Sequence, residues 1–403
     1  MKILRDITII LIITFGALIF IEIALRMVFP DKVEKEINLN ELAYVYNPNS
    51  IISLKPNITK DFKNSDVNGG QVITWKTNSL GYRGDEIGPK ENYRIIVYGD
   101  SNVQARFSEL KNTYPKKLEN FLSRKIKKVE VINGGLVGAG PDQSLIRFID
   151  DVDVIKPDLI ILHIYADNDY GDIIRNRLFE LSQSGDLVKT SLPVKRDQKI
   201  SPAEPNVTNY LNSLFITRAI MKLLAPDESS LSREDKASNR LKIYEQECKL
   251  EYLNYENGAE MSTSHFADHY DFDLATNPDS DSAKVKVLLM KRTLERFKIE
   301  SAKRNIKLVV VVQPSSIDTI MSGRLVSREE LSNYNKYNYK NLTNPIKTIC
   351  KALELYCVHL IDGFLINSPE TLYLKNDNHW NNAGQELSAK LTTDYIVVNE
   401  IIK

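Results

Sequence analysis

The sequence predicts an α/β protein with a mainly parallel sheet, led by an N-terminal transmembrane helix and interrupted by an inserted cap region. Three observations carry that expectation. Apolar, β-branched runs at 94–98, 129–132 and 159–165 each end in a polar or glycine-rich loop and are joined by helical patterns, the signature of βαβ units. The third run is nearly all apolar, as a strand covered on both faces should be. Right-handed crossovers then bring the three loops to one edge of the sheet, where open α/β sheets place their chemistry.

The totals bound the function. A chain of 403 residues can bury a large core. Its 53 basic and 53 acidic residues cancel, which argues against a nucleic-acid partner. Cys248, Cys350 and Cys357 are too few for a disulfide framework and are not spaced as a zinc site; Cys350 and Cys357 could pair in an oxidising compartment, but a buried thiol at each is the expectation. The histidines form no metal-ligand spacing, so neither metal nor cofactor is expected.

Residues 7–21 are apolar and uncharged, and with Glu22 and Arg26 the segment continues to Pro30, reaching the roughly 20 residues that span a bilayer. Lys2 and Arg5 precede it, offset in part by Asp6, and no small-x-small cleavage site follows. The positive-inside rule then places everything after residue 30 outside the cytoplasm. Residues 31–90 read as a lead-in of short strands and turns without helical period. Within it, 77–84 (Thr-Asn-Ser-Leu-Gly-Tyr-Arg-Gly) is turn-rich and, on physical grounds alone, a plain surface connection.

The strand at 94–98 stops at Gly99-Asp100-Ser101, where glycine permits a sharp turn and free backbone N–H groups face outward. A helix period follows over 110–125. The strand at 129–132 closes in a loop, 133–141, with four glycines in seven positions, and a helix follows over 144–155. Gly138-x-Gly140 continues with Pro141, which breaks the dinucleotide-binding pattern. The strand at 159–165 runs into Ala166-Asp167-Asn168-Asp169. Residues 170–285, with several prolines and polar stretches, fit the sheet poorly and read as an insertion or cap supplying substrate contacts. His265, His269 and Asp271 lie close together, yet without a complete ligand set they read as a solvated loop. A helix at 285–305, a strand at 306–313, a helix at 333–353 and a strand at 356–362 restore the alternation. The loop 376–384 and a helix at 386–398 close the chain.

A nucleophilic serine needs a base, a group that orients the base, and donors for the oxyanion. His379 lies in the polar loop before the last helix. Asp377 is two positions away, so in extended backbone both side chains point to the same side. Ser101, the glycine loop, Asn168 and His379 all fall at predicted strand ends.

These residues resemble the SGNH hydrolase superfamily, also called GDSL esterases and lipases, over about 90–395. Gly99-Asp100-Ser101 matches the serine block, Asn133-x-Gly135-x-x-Gly138 the glycine block, Asp167-Asn168-Asp169 the asparagine block, and Asp377-x-His379 with Gly384 the histidine block, all in the family's order. The resemblance implies a flavodoxin-like three-layer α/β/α sandwich, with Ser101 as nucleophile, His379 as general base and Asp377 as its orienter. It further implies an oxyanion hole built from the Ser101 amide, the Gly138 amide and the Asn168 side chain. The implied domains are an anchor at 1–30, a juxtamembrane lead-in at 31–90 and an SGNH hydrolase-like domain at 91–400 with its insertion at about 170–285.

Two departures qualify the match. Asn102 stands where the family usually has a large apolar residue. Asp-x-His-Trp at 377–380, in place of Asp-x-x-His, looks more like polysaccharide O-acetyltransferases of exported sugar polymers. Membrane-anchored bacterial members with a lead-in similar to 78–84 are also known. The expectation is an extracytoplasmic serine esterase acting on an acyl ester, acetyl first among them, of a cell-surface glycan. Its partners are then that ester, cell-envelope polysaccharide and the membrane. The alternatives are an O-acetyltransferase using the same triad, and a non-catalytic glycan- or partner-binding module.

Overall fold

The structure is a computed structural model that describes residues 2–28, 43–63, 70–126, 128–192, 232–258, 271–314, 316–319, 331–332, 336–338, 340–375 and 379–402. The chain divides into two compact units, Met1–Val45 with Gln198–Ser232, and Tyr46–Asp197 with Arg233–Lys403. In the first, Lys2–Val28 is one helix, α1. The expected membrane span is not met there: among the described residues no helix is long and apolar enough to cross a membrane.

Short strands β1 (Tyr44–Asn47), β2 (Ile51–Leu54), β3 (Thr59–Lys63) and β4 (Val72–Lys76) precede the main sheet. That sheet has five strands, β5 (Tyr93–Gly99), β6 (Val129–Gly135), β7 (Leu159–Tyr165), β10 (Lys307–Gln313) and β11 (Tyr356–His359). Their spatial order is β11–β10–β7–β5–β6 and every pairing is parallel. The hairpin of β8 (Phe179–Leu181) and β9 (Leu187–Lys189) lies outside it.

Alternation along the strands divides the core into two layers. One cluster takes Ile96, Leu162 and Val310 against the helices α4 (Pro141–Ile155) and α8 (Asp281–Lys303), through Phe148 and Phe297. The other takes Val97, Ile161 and Val311 against α3 (Tyr114–Lys125) and α12 (Asn382–Val398), through Leu118 and Ile396. Helices therefore cover both faces, giving the three-layer α/β/α sandwich.

Three boundaries differ from expectation for identifiable reasons. Strand β6 continues through Gly134 and Gly135 because Gly135 pairs with Gly99 in register. Helix α4 begins at Pro141, three residues early, since proline at the first helical position gives up only an N–H that no helical carbonyl could accept. Strand β11 ends at His359, and Ile361–Leu365 turns into a short helix, α11.

The described helices of the inserted region belong to the second unit. Helix α5 (Asp169–Asn176) follows β7 at once, and α6 (Arg233–Glu256) and α7 (Phe272–Thr276) pack within the second unit. Asp271 is buried and ion-paired to Lys286 at 3.0 Å, so it belongs to no solvated loop. His265 and His269 lie outside the described residues. Cys248, Cys350 and Cys357 are free thiols, the Sγ atoms of the last two 2.7 Å apart.

Candidate active site

Strand β5 lies between β6 and β7, so the loops after these three strands meet at one edge. Gly99, the last residue of β5, has φ +159°, and a Cβ there would meet Val103 Cγ2 at 2.6 Å and His163 Cβ at 2.8 Å. The four-residue helix α2 (Ser101–Gln104) starts immediately after, capped by Asp100, whose carboxylate accepts from the Asn102 amide at 2.9 Å. Burial pushes the Asp100 pKa up, against the pull of the nearby His379 and of its bonds to Asn102.

Glycine at 135 is a steric requirement. A Cβ at that position would stand 2.2 Å from the Gln104 backbone nitrogen, so β6 can approach the nucleophile helix only without a side chain. The chain then turns back: the Leu136 amide donates to the Gly99 carbonyl at 3.0 Å, and Gly138 takes φ +63°. This loop thus lies directly against the turn that carries Ser101.

His379 comes from the loop before α12, and its Nε2 lies 2.7 Å from Ser101 Oγ. That is the distance a base needs to receive a hydroxyl proton. The Phe107 ring meets the His379 ring edge-on, centroids 5.3 Å apart. Asp377, the expected orienter, lies outside the described residues. Asn168 stands at the start of α5 after β7, its Oδ1 buried without a hydrogen-bond partner. Its neighbour Asp169 accepts from the Tyr165 amide at 2.7 Å; burial, and then the charge of Asp100, raise its pKa. Ser101 and His379 are therefore in contact, while Gly138 and Asn168 occupy the loops flanking Ser101.

Three groups given no role in the site by the sequence complete the surroundings. Asn102 is buried; its Oδ1 accepts from the Trp380 amide at 2.9 Å, and its carbonyl accepts from Gln385 Nε2 at 2.9 Å. The family departure at position 102 thus ties the nucleophile helix to the segment bearing His379. His163 sits beneath Gly99, edge-on to Tyr114 and Trp380, and burial pushes its pKa down to about 3, so it stays neutral. Arg83, from the lead-in, reaches the turn after α2. Among the described residues, no three acidic, histidine or cysteine side chains are placed to hold a metal ion.

No protein-family profile and no curated protein matches the chain. Among solved structures it is similar to TesA (10% identity over 75% of this chain and 97% of that one, TM-score 0.36). It is also similar to a lipase/acylhydrolase from Enterococcus faecalis (14%, 76% and 96%, TM-score 0.36). A third is a catalytic mutant of Axe2, an acetylxylan esterase from Geobacillus stearothermophilus (13%, 77% and 95%, TM-score 0.37). Likeness of that size fixes no activity, and the weight falls on the geometry around Ser101.

Proposed function

We propose that this chain is a membrane-anchored, extracytoplasmic serine esterase of the SGNH type, acting on an acetyl or other short acyl ester of a cell-surface glycan. The observation that carries the reading is the 2.7 Å contact between Ser101 Oγ and His379 Nε2 at the carboxyl edge of a parallel sheet. In the proposed reaction His379 takes the Ser101 proton as Oγ attacks the ester carbonyl. The oxyanion accepts hydrogen bonds from the Ser101 amide, the Gly138 amide and the Asn168 side chain. Collapse expels the alcohol, which receives the proton from His379, and water delivered by the same base releases the acid. Asp377 is assigned to hold the imidazole.

The membrane assignment is supported by the surface of α1, where Phe20 is 73% and Met27 79% exposed alongside Ile10 and Ile13. Exposed apolar side chains in that number require cover, and a lipid surface provides it. The O-acetyltransferase reading shares the acyl-enzyme and differs only in the acceptor.

The test is fluorophosphonate labelling of the full chain in detergent, with Ser101→Ala and His379→Ala beside the parent, and p-nitrophenyl acetate turnover with and without an oligosaccharide. Each substitution is expected to lower kcat by about 10³-fold or more with Tm retained. Acceptor-dependent formation of acetylated sugar moves the assignment to the transferase. A folded parent that neither labels nor turns over sinks the esterase and favours a binding module.

A further inference from the structure

The segment 77–84 is not a surface connection. Thr77, Asn78, Tyr82 and Arg83 are buried. Asn78 Oδ1 closes the turn by accepting from the Leu80 amide at 3.0 Å and the Tyr82 amide at 2.9 Å. Gly81 takes φ +78°, and a Cβ there would press on the Leu54 carbonyl oxygen at 2.7 Å. The Tyr82 hydroxyl donates to Asp151 on α4. Arg83 forms isolated antiparallel bridges with Thr77 and with Asn133 on β6, which brings the turn to the edge of the main sheet.

The Arg83 side chain runs from there to the turn that follows the nucleophile helix. Its guanidinium lies over the buried Trp75 ring, 4.2 Å from the centroid. Nη1 donates to the carbonyls of Gln104 and Ala105, and Nη2 to that of Ser108 at 2.5 Å. The Gln104 and Ala105 carbonyls end helix α2, where the helix itself offers no donors. Ala105 adopts left-handed backbone, φ +53°, so this turn is held in a sparsely populated conformation for a residue with a Cβ. The same turn carries Phe107, which packs on the His379 ring.

We infer that Arg83 is a positioning residue for the catalytic pair: its planar fork fixes the 105–108 turn, and through Phe107 that turn holds the His379 ring toward Ser101. A lysine would keep the charge near Trp75 but lacks the planar fork that reaches the three carbonyls through two nitrogens. The inference rests on the esterase reading, and the experiment separates the two.

The parent, Arg83→Lys, Arg83→Ala and Phe107→Leu are prepared as full chains and their active sites counted by the p-nitrophenol burst, so that misfolded enzyme drops out of the rate. Parent turnover that depends on Ser101 establishes the esterase first; its absence overturns that reading without reference to Arg83. Given it, kcat per counted site is expected to fall about 10- to 100-fold in both Arg83 variants, with KM within about threefold. Added guanidinium is expected to restore part of the Arg83→Ala rate. Phe107→Leu is expected to lower kcat per site in the same direction. Folded Arg83→Lys with kcat per site within about twofold of the parent overturns the inference. If neither Arg83 variant folds, Phe107→Leu decides, and an unchanged kcat there overturns it equally.

Discussion

Asn102 shows how much of the site depends on groups that do no chemistry. Its side chain accepts from the amide of Trp380, the residue after His379, and its own amide is held by Asp100, the residue before Ser101. One buried amide thus joins the two ends of the catalytic pair, 278 residues apart in sequence. Replacing it with the leucine that the family resemblance would suggest leaves the buried Trp380 N–H without an acceptor, at a cost of about 1–3 kcal/mol. Asn102→Leu is therefore expected to lower kcat/KM by about tenfold or more through displacement of His379, while p-nitrophenyl acetate KM changes little. Steady-state kinetics on the folded variant checks this, and parent-like kcat/KM removes Asn102 from the positioning set. Ser101 and His379 were legible in the sequence because both stand at the polar ends of strand or loop patterns. The role of Asn102 was not, because a hydrogen bond across such a separation leaves no periodic trace.

The elements of the insertion are held by charge where the sheet is held by apolar contact. Lys286 on α8 is fully buried, 3.0 Å from both Asp271 and Asp273 and 3.7 Å from Glu251 on α6. Glu251 also accepts from Arg175 at 2.9 Å, and Arg175 pairs with Asp172 on the same helix, α5. Four helices meet in one ionic cluster. Such a cluster adds little over well-packed apolar residues while it is complete, but removing one cation strands the carboxylates. Lys286→Met is expected to destabilise the chain by roughly 3–5 kcal/mol, read as a fall in the urea midpoint. A change under about 1 kcal/mol would mean that the acids reprotonate and repack without cost. This cluster is the part of the fold least legible in the sequence. A polar, Asp-rich stretch reads as solvent-facing, since acids are almost never fully buried unless paired, and the pairing partners Asp271, just before α7, and Lys286, on α8, are 15 residues apart. The inner strands β5, β7 and β10 were legible for the opposite reason: buried on both faces, they show nearly continuous apolar runs.

At the scale of the whole molecule, the same burial of acids makes stability depend on pH. Asp142, in the first turn of α4, accepts from Asn176 Nδ2 at 3.0 Å through Oδ1, while Oδ2 is buried without a partner. Burial, only partly opposed by that hydrogen bond, pushes its pKa up from 3.8 to about 7. The folded state therefore holds this proton more tightly than the unfolded chain. The favourable contribution is complete below about pH 4 and is lost as pH rises through about 7, because the folded chain must then carry a desolvated carboxylate. Asn at this position keeps the shape and the carbonyl acceptor of the protonated acid without its titration. Asp142→Asn is expected to match the parent near pH 4 and to exceed it increasingly toward pH 8, by at most roughly 4 kcal/mol. Asp172, whose pKa the Asp142 charge helps to raise, shifts with the substitution, so the difference between the two urea-unfolding curves reads Asp142 together with that coupling. The prediction fails if that difference is constant from pH 4 to pH 8, for Asp142 would then be as acidic in the folded chain as in the unfolded one.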